Sequence, residues 1–393
     1  VCRLGLIVNP IAGIGGRVGL KGSDGGEIQR RALELGAEPQ ASGRAVQALE
    51  RLRSVPRLGL ITYPGEMGET AARISGFEPT VIGSISSGAT TAQDTMEAAR
   101  EMKRQDIDLL LFAGGDGTAR DIYRAIGEEL PALGIPAGVK IHSAVYAANP
   151  ASAGNLAALY LQGRVTSLQE AEVMDIDEEA FRSGIVSAKL YGYLKIPFRT
   201  SLVQSQKMAS IGGSGSLTAI AEDIVERMET GCLYIVGPGT TTRAIAVELG
   251  LDKTLLGVDV FRVGDSDERS NKGGRLVQGD ANEAELLELL DMDGHQAKII
   301  VTLIGGQGFI FGRGNQQISP RVIRAVGGRL SSGDGAIKPW ANILVVGTRE
   351  KLYALGSKPL RVDTGDPALD ERLSGYVTVV TGYHERAVRK VSA

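Results

Sequence analysis

The chain has 393 residues, too many for one ordinary hydrophobic core, so two domains are expected. Its formal charge of −3 and few aromatic residues lack the basic footprint of a nucleic-acid binder. No apolar stretch reaches the roughly 18 residues that a membrane span requires, so no membrane-spanning helix is expected in this sequence.

Short apolar runs alternate with stretches of helical periodicity, the pattern of an α/β protein with a largely parallel sheet. Leu4–Val8 reads as a buried strand and Asp24–Leu35 as a helix. Leu58–Thr62 is the next strand, followed by a Pro-Gly turn, a helix through Ala71 and Ala72, and a weak strand at Val81–Ile82. Thr90–Arg104 is predicted helical, with Ala92, Met96, Ala99 and Met102 on one face. Leu109–Phe112 is the strongest strand of the first third, Ala119–Ile126 a helix, and Ala132–Ile135 a strand closed by Pro136. Residues 1–165 therefore read as one doubly wound parallel-sheet domain.

The charged segment Glu170–Glu179, with Asp175 and Asp177, reads as the crossing into a second domain, 166–325. There Leu190–Ile196, Leu233–Val236, Leu255–Val260 and Ala297–Ile304 read as strands, with helices at Thr218–Glu229 and Arg243–Leu249. Gly327–Ala341, rich in Gly and Ser, reads as a mobile loop, placed at 326–341. Residues 342–393, with strands at Ile343–Val346 and Gly375–Thr381, are expected to pack back on the core. Cys2 and Cys232 lie in apolar runs without metal-ligand spacing and read as buried free thiols in a reducing compartment. The start is too short and strand-like for a signal peptide, so a soluble, cytoplasmic protein is expected.

The 53 glycines are nearly twice the usual share of about 7% and gather at the ends of apolar runs. Three glycine-bearing loops follow predicted strands, where free amides and a helix N-terminus gather at the carboxyl end of an α/β sheet and bind anions. The first runs from Asn9-Pro10 through Gly13, Gly15, Gly16 and Arg17 to Lys21. It has neither the Gly-Lys-Ser/Thr ending of a Walker loop nor the dinucleotide glycine spacing. A plain turn with two surface cations is the competing reading. The second is Gly114-Gly115-Asp116-Gly117-Thr118; there Asp116 is either a functional carboxylate or a helix cap. The third, Gly237–Thr242, offers Thr240, Thr241 and Thr242 at a helix start where one hydroxyl suffices for capping.

Gly114–Thr118 resembles the GGDGT signature of NAD kinases and of the diacylglycerol, sphingosine and ceramide lipid kinases. Asn9-Pro10 with its glycines is similar to the first-strand loop of that superfamily, and Gly237–Thr242 to the Gly/Thr-rich loop of NAD kinases. The closer resemblance is to the ATP-NAD kinase-like subgroup that includes the X protein of acetoin-catabolism operons. It is carried by Asn9–Asp24, Pro64–Glu69, Gly134–Ser143 and Gly312–Pro320.

The resemblance implies an N-terminal domain of NAD kinase/diacylglycerol kinase type, a second mixed α/β domain, and a homo-oligomer. It implies transfer of a phosphoryl group from ATP with Mg²⁺ to a hydroxyl, with NAD as the family-suggested acceptor. Asp116 becomes the base, the group orienting the acceptor, or a contact to Mg²⁺. Asn9, Gly13, Gly15, Gly16, Lys21, Gly114, Gly115, Gly117, Thr118 and Thr240–Thr242 become nucleotide and phosphate contacts. Glu66 reads as a ribose or metal contact or as a solvated helix-start residue, and Lys140 and His142 lie near the same strand ends. Asn315, Gln316 and Gln317 form an amide cluster suited to reading a base, sugar or carboxamide, or a polar turn before Pro320.

The Asn-Glu pair that grips the NAD ribose in NAD kinases has a counterpart in letters, Asn282-Glu283, but at a predicted helix start, so the two are not equated. Competing functions are a kinase of a polyol, sugar or acetoin-like metabolite and a nucleotide-binding regulator without turnover. A lipid acceptor is disfavoured by the lack of an amphipathic membrane-binding stretch.

Overall fold

Leu4, Gly5, Leu6, Ile7 and Val8 form a run of non-polar residues because the strand they form is covered on both faces. In the computed structural model, which describes residues 2–20, 26–138, 141–176, 188–199, 202–203, 214–264, 273–292, 296–304, 306–328 and 340–393, this strand is central to a five-stranded parallel sheet. The chain forms two compact units, Val1–Ile14 with Gly22–Gln206, and Gly15–Lys21 with Lys207–Ala393.

In the first unit, β1 (Cys2–Val8), β2 (Leu58–Thr62), β3 (Thr80–Val81), β4 (Leu109–Gly114) and β5 (Ala132–Pro136) adopt the order β3-β2-β1-β4-β5. Leu4 pairs with Leu60 on one side and Leu109 on the other. Helices α1 (Gly26–Glu34), α2 (Ala41–Glu50), α3 (Glu69–Ile74), α4 (Ala92–Arg104), α5 (Asp116–Ile126) and α6 (Pro150–Leu161) accompany the sheet, with α2 packed on α6 and α4 on α5. This is the doubly wound α/β arrangement expected.

Several elements differ from expectation. The buried stripe of α4 is Thr95, Ala98, Ala99 and Met102, so Ala92, exposed, and Met96, half-buried, lie outside it. Asp24 lies outside the described residues. Helix α6 has no sequence periodicity because it is apolar nearly all round, with Ala153, Leu156, Ala157 and Leu161 buried. Glu170–Glu179 is no crossing as far as Ile176. It belongs to β6 (Leu168–Ile176), antiparallel to β7 (Ala188–Pro197), while Asp177 and its successors lie outside the described residues. Ala171 and Val173 alternate inward between glutamates, and Asp175 pairs with Arg120 of α5 at 2.6 Å. This hairpin packs on α5 and β5, so the unit continues to Gln206 rather than closing at 165.

The second unit holds one nine-stranded mixed sheet. Its strands are β8 (Leu233–Val236), β9 (Asp259–Val263), β10 (Gly274–Gln278), β11 (Ala297–Thr302), β12 (Phe309–Phe311), β13 (Ile343–Val346), β14 (Leu360–Val362), β15 (Gly375–Gly382) and β16 (Glu385–Ser392). They lie in the order β10-β9-β8-β11-β13-β15-β16-β14-β12, with β8, β11, β13 and β15 parallel. The last segment supplies β13 to β16, making it part of the sheet itself.

Helices α7 (Ser214–Glu226), α8 (Thr240–Glu248), α9 (Glu283–Met292), α10 (Pro320–Gly328), α11 (Arg349–Leu355) and α12 (Pro367–Leu373) complete this unit. Strand β9 starts later than Leu255 because Asp259 first closes a turn, accepting from Thr254 N at 2.8 Å and from the buried Lys253 Nζ at 3.0 Å. Gly327 and Gly328 end α10, whereas 329–339 lie outside the described residues; Trp340 stacks on Phe311. Both cysteines are free, Cys232 buried and Cys2 half-buried. Among the described residues no helix is long and apolar enough to cross a membrane.

Candidate active site

Strand β1 lies between β2 and β4, so the connections run outward from it on both sides. At such a switch point the loops leaving the carboxyl ends of the two central strands diverge and open a crevice, the usual ligand position of an open α/β sheet. The two loops here begin at Asn9 and at Gly115.

Asn9 knits them together. Its main-chain N–H donates to Ala113 O at 2.9 Å, and its Nδ2 donates to Thr118 Oγ1 at 2.9 Å. The third loop, after β5, joins them: the N–H groups of Ala137 and Gly138 both donate to Gly114 O. Glycines permit this meeting of backbones. A Cβ on Gly115 would lie 3.1 Å from Gly138 Cα, and one on Gly114 would lie 2.4 Å from the Thr118 side chain.

Asp116 is the first residue of α5, after Gly115 at the cap, so the helix-cap reading of this carboxylate does not hold. It is 6% exposed and reaches instead to the loop after β5. Oδ2 accepts from His142 N at 2.7 Å and faces His142 Nδ1 at 3.0 Å; Oδ1 accepts from Ser143 N at 3.0 Å. A carboxylate that only accepts takes its hydrogen bond from Nδ1–H, and in the neutral imidazole Nε2 then carries the lone pair. Ser143 extends the chain of contacts, its hydroxyl donating to Met174 O at 2.7 Å. Tyr146 donates to Gly115 O at 2.5 Å. Nothing in the sequence marks Ser143 or Tyr146 as a site residue, beyond the place of Ser143 at the end of the Gly134–Ser143 motif.

The arrangement offers a helix N-terminus for an anion, an oriented imidazole, and a buried carboxylate holding that imidazole. For Mg²⁺ the donor set does not make a dedicated cage. Asp116 already meets three N–H groups, and among the described residues no three His, Cys, Asp or Glu side chains converge.

Of the other predicted residues, Glu66 belongs to this unit, and Thr240–Thr242 and Asn315–Gln317 belong to the second. Gly13 stays with this unit, whereas Gly15 and Gly16 belong to the second, where Arg17 O accepts from Glu283 N at 3.0 Å. Lys21 and Lys140 lie outside the described residues. Thr240–Thr242 do open α8 at the carboxyl end of β8; Thr240 is exposed, whereas the hydroxyls of Thr241 and Thr242 are engaged. Thr242 Oγ1 donates to Gly237 O at 2.7 Å, and Thr241 Oγ1 accepts from the buried Lys351 Nζ at 3.1 Å. Lys351 stands in no glycine motif, so nothing in the sequence marked it. The amides of Asn315 and Gln316 serve their own turn: Asn315 Nδ2 donates to Ile310 O, and Gln316 Nε2 to Gly312 O. Gln317 is buried in the same turn.

Glu66 tethers the loop before α4, accepting from Gly88 N at 2.6 Å and Ser87 Oγ at 3.0 Å. The Gly88 N–H holds its carboxyl below the ordinary glutamate range, against some desolvation, with the Ser87 hydroxyl assisting. A depressed folded-state value stabilises the tether above the usual glutamate range of about 4.3 and loses it as the pH falls through the lowered value. The Gly88 amide shift is expected to follow that acid titration and to lose it in Glu66→Gln. A Gly88 shift indifferent to the substitution would refute the tether.

A family model described as the ATP-NAD kinase N-terminal domain matches residues 4–165, and one described as the ATP-NAD kinase C-terminal domain matches residues 230–391. No curated protein matches the chain. Among solved structures, the crystal structure of a putative diacylglycerol kinase from Bacillus anthracis str. Sterne is 15% identical, with a TM-score of 0.23. The match covers 44% of this chain and 46% of that one, so the chain spans less than half the length of that structure.

Proposed function

From a chain that belongs to the ATP-NAD kinase family, a family of kinase-like phosphotransferases, we infer transfer of the γ-phosphoryl group of ATP to a hydroxyl of NAD. The observation that carries this reading is the Asp116–His142 pair, held at the switch point of the sheet beside the N-terminus of α5.

Phosphoryl transfer needs placement, charge neutralisation and a group to receive the acceptor's proton. The amides at the start of α5 and the loop tied by Asn9 favour the polyphosphate. Mg²⁺, carried on the phosphates, would neutralise their charge. The acceptor oxygen bonds to the γ-phosphorus, the bond to the bridging oxygen breaks, and ADP leaves. The hydroxyl proton passes to His142 Nε2, with Asp116 stabilising the imidazolium. Asp116 thus acts through His142 and orients it, which refines the expectation of Asp116 as the base itself.

One observation favours a second acceptor class, a small polyol, sugar or acetoin-like alcohol. Asn282-Glu283 is the one Asn-Glu dipeptide in the sequence, and both of its side chains are engaged within the second unit. Asn282 Oδ1 accepts from Glu285 N at 3.0 Å, and Glu283 accepts from Ser319 Oγ.

An acceptor panel decides between them: ADP release is measured with ATP and Mg²⁺ and, separately, NAD, polyols, sugars and acetoin. NAD-dependent ADP release is expected. Release with a small alcohol alone establishes the second class, and no release above background with any acceptor leaves a nucleotide-binding regulator. His142→Ala is expected to lower kcat on the order of 10²–10⁴-fold, with the ATP KM changed only a few-fold. Unchanged kcat would remove His142 from the reaction.

A further inference from the structure

A cleft of about 420 Å³ lies wholly within the first unit, away from the loops just described. Arg51, Arg164 and Arg199 line it, with Asn155 and Gln162 as polar walls and Leu159 on its apolar side. Asn155 and Leu159, at i and i+4 of α6, and Gln162 at its C-cap fall on one face, so that face of the helix forms a wall.

The cleft lies toward the opposite end of the sheet from Asp116. Cys2 Sγ, at the start of β1, donates to Leu161 O at the end of α6. Asp116 follows the carboxyl end of β4, which is parallel to β1. A strand the length of β1 spans on the order of 20 Å.

The charge in this cleft is one-sided. No carboxylate lines it, and none of the three guanidinium groups forms an ion pair or a hydrogen bond among the described residues. Arg51 and Arg164 follow the ends of α2 and α6, where cations favourably meet the helix dipole. Arg199 comes from a different element, two residues after β7. Cations converging in a concave surface concentrate the field, and the planar guanidinium fork matches phosphate oxygens bidentately. The volume is within the usual range of a small-ligand site, roughly 300–1,000 Å³.

We propose that this cleft binds a small phosphorylated metabolite carrying at least two negative charges, at a site separate from the phosphotransferase centre. The arginines hold the phosphate groups, while Asn155 and Gln162 hydrogen-bond the remainder. The proposal does not depend on the reaction inferred above.

The test is calorimetric titration of the full chain with inorganic pyrophosphate and with ribose 5-phosphate, at low and at physiological salt. Arg164→Gln/Arg199→Gln is expected to lose one class of binding site, with affinity falling tenfold or more, while its thermal midpoint without ligand stays unchanged. Arg51→Gln should weaken the same class. Arg164→Lys, which keeps the charge and loses the fork, should recover only part of the affinity. Identical isotherms for the wild-type and double-variant proteins would overturn the site, since any remaining binding then lies elsewhere. Anionic vesicles or RNA bound through these arginines tenfold more tightly than either probe would overturn the small-metabolite assignment.

Discussion

Asp116→Asn is expected to lower turnover on the order of 10²–10⁴-fold and, in the same variant, to loosen the loop that carries His142. The two losses share one cause. Asp116 offers only acceptors to three N–H groups: His142 N, His142 Nδ1 and Ser143 N. An amide offers one acceptor and one donor. Either orientation points its NH₂ at a buried main-chain donor, at His142 or at Ser143, which costs about 1–3 kcal/mol. Faster hydrogen exchange of the His142 and Ser143 amides is the structural readout, and single-turnover ADP formation the chemical one. His142→Ala separates the effects, since it removes the imidazole and leaves both main-chain bonds to Asp116. If Asp116→Asn keeps full turnover, the Asp116–His142 pair is not the reacting unit. If turnover falls while both amides stay protected, the carboxylate acts by its charge alone.

Gly13→Ala is expected to separate the loop after β1 from the loop after β5. Gly13 has φ of 76°, and a Cβ there would lie 2.0 Å from Ala137 O, a backbone atom with no free end to move aside. The left-handed conformation costs an alanine about 1–2 kcal/mol, and forcing atoms into a packed site adds about 1–3 kcal/mol. The control is Gly36→Ala, where φ is 78° and nothing lies within 4 Å, so the conformational cost stands alone. The Gly13 variant should therefore unfold at clearly lower denaturant than the Gly36 variant and should show the higher ATP KM. Equal midpoints and equal KM values would mean that the Gly13 contact contributes nothing to holding the two loops together.

These two positions show how far the motifs were legible. The GGDGT stretch, Gly114–Thr118, stands out because glycine density around one carboxylate at a strand end is rare, and its place at the carboxyl end of β4 follows from the apolar run before it. Its glycines also have a role that their letters do not reveal. They let three loops meet, with Gly114 beside Thr118 and Gly115 beside Gly138. The amides of Asn315 and Gln316 looked equally suited to a ligand, yet they bond to Ile310 and Gly312 of their own turn. A side-chain amide has the same hydrogen-bonding capacity whether it meets a ligand or a nearby carbonyl, so composition does not separate the two.

Secondary structure divides along a similar line. The runs that became β1, β4 and β5 were readable because a strand covered on both faces must be apolar at every position. Helix α6 escaped because apolar residues on nearly all its sides, half-buried ones included, erase the 3.6-residue period. The β6–β7 hairpin escaped because its inward residues, Ala171 and Val173, are interleaved with glutamates that suggested a solvated linker.

By itself, the sequence determined the α/β alternation, the strand-end position of Asp116 and the likeness to ATP-NAD kinases, all of which depend on neighbours along the chain. Only the tertiary structure decided that Asp116 turns away from its own helix to His142 and Ser143, 26 and 27 residues further on. It alone placed Arg51, Arg164 and Arg199 around one cleft. Such contacts are set by the order of strands in the sheet and the packing of helices on its faces, and separation along the chain carries no record of either.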